Sequence, residues 1–293
     1  MNFLKLIVIS TFFSAYLFAS QSIPAVVSLD WLHTNINNKD IVIIDLRAYE
    51  EYKKGHIKGA VNIEGTPDKQ MLFDSNLFMP KLNSLQELFS NAGIDKDSLV
   101  VAYGDGSFIW AARLYWILEI LGHENVGILE VGYGNWKEGE LLIATKDTNV
   151  VKKEFIPRVD NTKIQTKLST LMAINKKTII DGRKVKHYEG KESLAKRFGH
   201  IPTAQNYACT QNYQVTKSGN KMRNLKDLKV LYKDLPKDQE IILYCDGGAE
   251  AALNYIVLQE LGYKASVYDG SWVEWGNDSA VPIENPQNRV KNK

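Results

Sequence analysis

Cysteine is nearly absent from this 293-residue sequence, which holds only Cys209 and Cys245. That excludes a scaffold stapled by many disulfides, and it excludes thiolate-rich structural metal sites. The five histidines are scattered and show no ligand spacing, so no metal and no organic cofactor is implied. Charge of one sign is lacking too: 36 basic against 34 acidic residues leave a net +2, with Lys and Glu interleaved. Nothing here announces nucleic acid as a partner. Long apolar runs are missing except at the start, where residues 6–18 follow Lys5 and give way to Ala19 and Ser20. Such a run is short for a membrane span and has the layout of a cleaved export signal, with an uncleaved anchor as the alternative. The expectation is a signal over 1–20, a mature chain without a membrane span, and a periplasmic location. An exported chain can form a Cys209–Cys245 bridge, although a chain of this size can bury a core without one.

What is present is a repeat. Ile41-Val42-Ile43-Ile44-Asp45-Leu46-Arg47 returns as Thr178-Ile179-Ile180-Asp181-Gly182-Arg183. Gly55-His56-Ile57-Lys58-Gly59-Ala60 returns as Gly199-His200-Ile201-Pro202-Thr203-Ala204, and Leu99-Val100-Val101-Ala102-Tyr103 as Ile241-Ile242-Leu243-Tyr244-Cys245. Helices are expected over 110–121 and 249–261, each stopped at a Leu-Gly pair whose glycine, Gly122 or Gly262, suits a left-handed cap. Short strands over 126–129 and 265–268 follow, then a Gly-x-Trp at Trp136 and Trp272. Apolar strands alternating with helices predict an α/β fold: two similar domains, each a mainly parallel sheet flanked by helices. The boundaries fall at 21–145 and 164–285, with a linker over 146–163 and a tail over 286–293.

The informative segment is Tyr244-Cys245-Asp246-Gly247-Gly248-Ala249-Glu250. A buried strand ends, a cysteine follows, glycines permit a tight turn and a helix begins. Backbone N–H groups at such a turn gather into an anion-stabilising concavity, which would lower the thiol's pKa and make it nucleophilic. The same residue can also be read as a small buried hydrophobe.

Asp181-Gly182-Arg183, Gly199-His200-Ile201-Pro202, the Cys245 loop and Tyr268-Asp269-Gly270-Ser271-Trp272-Val273-Glu274-Trp275, in that order, resemble the rhodanese family. The likeness is to its tandem-domain thiosulfate and mercaptopyruvate sulfurtransferases, and it extends over about 27–282. It implies two tandem rhodanese-like domains, the second catalytic. Cys245 would take the outer sulfur of a small-molecule donor as a persulfide and pass it to a thiol or cyanide. The loop amides, Gly247 to Glu250, would hold that sulfur, so Arg183, His187, Asp246, Gly247, Gly248, Ala249 and Glu250 are the expected substrate-binding residues. The first domain has Gly104-Asp105-Gly106 in the matching place, no thiol, and by resemblance shapes one side of the cleft.

The pattern also departs from the family. Asp246 and Glu250 stand where the family has basic, small or hydroxyl residues. Negative charge there opposes a thiolate and a dianionic donor, unless both side chains point into screening solvent. His187 replaces a substrate-binding arginine and offers less charge and no bidentate fork. Arg183 reads as readily as a salt-bridge partner as a ligand; Lys191 and Arg197 are further cleft candidates, and His200, which recurs as His56, reads as structural. Leu77-Phe78-Met79-Pro80 lies where the mercaptopyruvate branch has His-x-x-Pro, which counts against mercaptopyruvate. A phosphatase loop would be longer and end in arginine, and neither Ala251 nor Ala252 can hold phosphate. The expected function is transfer of sulfane sulfur from thiosulfate, a polysulfide or a persulfide. Two alternatives stay open: a sulfane-sulfur carrier that supplies a sulfur-accepting protein with little turnover on thiosulfate, and a redox pair in which Cys209 resolves a modified Cys245.

Overall fold

The computed structural model describes residues 23–287; the expected signal over 1–20 and the tail beyond residue 287 lie outside the described residues. The repeat in sequence is a repeat in space. One five-stranded parallel sheet runs, edge to edge, Val26–Val27, Val126–Leu129, Leu99–Tyr103, Ile41–Asp45, Val61–Asn62. The second runs Ile164–Gln165, Ala265–Tyr268, Ile241–Tyr244, Thr178–Asp181, Gln205–Asn206, the same order with the same parallel pairing. The expected α/β architecture of two helix-flanked parallel sheets is therefore observed.

Strand alternation sorts the side chains between cores. Ile241 and Leu243 point into a large core that both domains share, while Ile242 and Tyr244 point into a smaller outer one. In the first domain Val100 and Ala102 join the shared core, and Val101 and Tyr103 turn away from it. Between the sheets lie the helices Ile109–Ile120 and Ala249–Glu260, buried on nearly every side. A helix that is apolar all round needs cover all round, and each supplies it to the other. Tyr255 OH donates across this contact to Glu119 Oε2 at 2.6 Å. Gly122 and Gly262 end the two helices with φ of +79° and +77°, as the left-handed cap requires.

Two further devices join the domains. A hairpin of Tyr213–Thr216 and Gly219–Met222 reaches from the second domain to the first, with Met222 N donating to Glu130 O at 2.8 Å. Its Asn220 Nδ2 donates to Gly106 O at 3.0 Å. The connection over 147–160 has no helix or strand and anchors itself by burying Phe155.

Candidate active site

Asp-x-Arg is explained by its own pairing. The Asp181 carboxylate accepts from Arg183 N at 2.9 Å, Arg183 Nε at 3.0 Å, Arg183 Nη2 at 2.6 Å and Tyr244 OH at 2.6 Å. Arg183 Nη2 also donates to Gly199 O. Asp45, Arg47, Tyr103 and Gly55 repeat these contacts in the first domain. His200 and His56 repeat as well: each ring stacks on a tyrosine, Tyr188 at 3.9 Å and Tyr52 at 3.7 Å. A constellation that recurs where no thiol exists is holding the fold. Arg183 keeps one nitrogen outside this network: Nη1 makes no hydrogen bond and lies 3.7 Å from Asp246 Oδ1.

Alternation carries Cys245 inward behind Ile241 and Leu243, and it is only 1% exposed. Gly248, at φ +84°, turns the loop so that its N–H donates to Cys245 Sγ at 3.0 Å. A Cβ at that position would stand 2.5 Å from Arg113 Nη1, so the turn has room only for glycine. The amides of Ala251 and Gly247 also favour the thiolate. Ala251, in the first turn of the helix, lies just past the amides expected from the sequence.

The thiol is nevertheless pushed up to about 12, by burial first and by Glu250 second, against those amides. The expectation of a lowered pKa is thereby corrected, and the thiol is buried, as the alternative reading had it. The amide cradle exists, but it lies on the core side of the sheet, where water cannot solvate a thiolate. Cys209 is free as well, so the Cys209–Cys245 bridge does not form. Its amide donates to Gly182 O at 2.9 Å, and burial, with Glu250 and Cys245 nearby, pushes its thiol well up.

The two acids are not solvent-facing, which corrects the alternative that screening makes them harmless. The Asp246 side chain is 16% exposed, with Oδ2 at 3.0 Å from His187 Nδ1. Burial raises its pKa against the pull of Arg183 and His187. Burial and the neighbouring Asp246 push Glu250 up to about 7. His187 thus reaches the loop but meets its acid. Two expected cleft cations do not join it: Lys191 is exposed and pairs with Glu189 at 2.6 Å. The Arg197 guanidinium is taken up by the carbonyls of Trp275, Gly276, Asp278 and Val281.

An ion pair between the domains stands behind the loop. Arg113, the one cation in the helix Ile109–Ile120, reaches Asp269 Oδ1 with Nη1 at 2.6 Å, and Asp269 Oδ2 accepts from Met79 N at 2.7 Å. Two residues on, Ser271 Oγ accepts from Cys245 N at 3.2 Å, while Trp272 N donates to Cys245 O at 2.9 Å and Val273 N to Asp246 O at 3.0 Å. Asp269 to Val273 therefore couples the first domain to the cysteine loop. Spacing alone marks none of these as functional, and the sequence reading missed them; a single cation inside an apolar helix is the signal that could have found Arg113.

The comparisons agree with this geometry. Residues 28–139 and 165–278 each match the Rhodanese-like domain family. A putative thiosulfate sulfurtransferase of Synechococcus elongatus is 30% identical over 289 residues, covering 93% of this chain and 88% of that one. A thiosulfate sulfurtransferase of Corynebacterium glutamicum is 30% identical over 288 residues, covering 91% and 92%. Among solved structures, an Escherichia coli protein described among the 3-mercaptopyruvate sulfotransferases superposes with a TM-score of 0.75 at 26% identity, covering 85% of this chain and 99% of that one.

Proposed function

The chain belongs to the rhodanese-like family, and from that premise we propose that it is a sulfurtransferase whose Cys245 carries the transferred sulfur. The Cys245 thiolate attacks the outer sulfur of thiosulfate, a polysulfide or a persulfide. The donor's S–S bond breaks, and sulfite or the donor's remaining thiolate departs with the electron pair. Cyanide or a thiolate then attacks the outer sulfur of the Cys245 persulfide and leaves as thiocyanate or a new persulfide, and Cys245 keeps the electron pair as thiolate. The observation that carries this reading is the Gly248 N–H at 3.0 Å from Sγ, in a turn that points amides at the sulfur. Asp246 and Glu250 favour donors of low charge over dianionic thiosulfate.

The test offers several donors to wild type and to Cys245→Ser and weighs the protein. Wild type gains one sulfur, about 32 Da. A serine variant that gains the same mass moves the site elsewhere.

The acids of the loop, Asp246 and Glu250, favour a second reading, a carrier that hands sulfur to a protein acceptor with little turnover on thiosulfate. A stable mass gain with negligible thiosulfate:cyanide turnover selects the carrier; rapid turnover selects the enzyme. The first twenty residues support export, and a mature N-terminus at Gln21 in periplasmic protein tests that.

A further inference from the structure

Gly247 has no side chain, yet the space beside it is occupied from the first domain. A Cβ placed at Gly247 would stand 3.6 Å from Leu77 Cβ and 3.8 Å from Leu77 Cδ1. Leu77 sits at φ +67°, a left-handed conformation that is strained for a residue bearing a side chain. Its surroundings enforce it. Asp74 Oδ1 accepts from Asn76 N at 2.8 Å and Phe78 N at 3.0 Å, Leu77 N donates to Asp74 O, and Asp74 N donates to Phe78 O. One residue beyond this strap, Met79 N is tied to Asp269 of the second domain. Leu77 packs on the shared core that contains Cys245. On its other side an open groove of about 710 Å³ is lined by Ser75, Asn76, Leu77, Lys167 and Val273. Val273 is the residue whose N–H holds the Asp246 carbonyl, so two residues that line this groove, Leu77 and Val273, also adjoin the sulfur loop.

We propose that Leu77 is the gate of the sulfur site and selects donors by size: slim linear sulfane donors pass beside it, and a donor bulky next to its outer sulfur enters only when the strap lifts. This rests on Cys245 as the sulfur carrier, and the experiment separates the two claims. Cys245 is alkylated with iodoacetamide and with the bulkier N-ethylmaleimide, and peptide mass spectrometry distinguishes it from Cys209. Leu77→Gly removes the side chain and relieves the left-handed strain, which offsets part of the packing it loses; Leu77→Ala removes the side chain alone, and Leu77→Phe enlarges it.

Gly and Ala are expected to speed alkylation about tenfold, which corresponds to about 1.4 kcal/mol of closure. The gain is larger for N-ethylmaleimide, and Phe slows both reagents. In sulfur transfer, the ratio of KM for glutathione persulfide to KM for thiosulfate falls several-fold in Leu77→Ala. Alkylation rates that ignore residue 77 in all three variants overturn the gate even if Cys245 carries sulfur. Rates that follow residue 77 while Cys245 takes up no sulfur keep the gate and overturn the transferase.

Discussion

Glu250→Gln removes one negative charge beside the cysteine loop and keeps the side chain's shape. Burial and Asp246 lift the Glu250 carboxyl from the usual 4.5 to about 7. That gap of about 2.5 pH units, at about 1.4 kcal/mol each, makes the ionised residue cost the folded state about 3 kcal/mol. Below pH 4.5 the carboxyl is protonated in both states and has no effect on stability. Between 4.5 and 7 the unfolded chain sheds its proton while the folded chain keeps it, so stability falls as pH rises; above 7 the loss is complete. Thermal melts of wild type and Glu250→Gln from pH 4 to 9 measure this directly. The two coincide near pH 4 and separate by pH 8.5, with the variant higher by roughly 2–4 °C per kcal/mol for a chain of this size. The same charge helps hold the Cys245 thiol near 12, so the variant's thiol is also alkylated faster at pH 8. Melting curves that stay parallel across the whole range would refute the reasoning, because a packing effect has no reason to vanish below pH 4.5.

Arg113→Met leaves Asp269 buried without its cation and is expected to cost about 3–5 kcal/mol in thermal or urea unfolding. Adding Asp269→Asn restores part of that loss; a double variant as unstable as the sum of the singles would deny the pair. Asp246→Asn removes the charge that adjoins Cys245 in the loop and should lower KM for thiosulfate several-fold, with a smaller effect on a neutral persulfide. Equal changes for both donors would show that its charge does not face the donor.

The duplicated α/β architecture is legible in the chain because its signals are local. Apolar runs ending in Asp-x-Arg, Leu-Gly helix stops and Gly-His-Ile spacing each depend on neighbours within about ten residues, and Gly122 and Gly262 adopt the left-handed φ their positions require. His200 could be assigned to the fold for the same reason, since its copy His56 has no thiol to serve. The inward direction of Cys245 was missed, although a period of two carries the signal, because it shares a strand face with Ile241 and Leu243.

The amino-acid order by itself thus determined the two sheets, the loop that aims amides at a thiol, and which thiol that is. Tertiary structure alone decided how accessible and how acidic that thiol is. Both properties depend on groups far apart in the chain: Arg113 bound to Asp269, Leu77 laid beside Gly247, and helices of the two domains sealing a common core. Solvation of a charge is set by everything packed around it, and no motif of a few residues encodes what another domain brings within 4 Å.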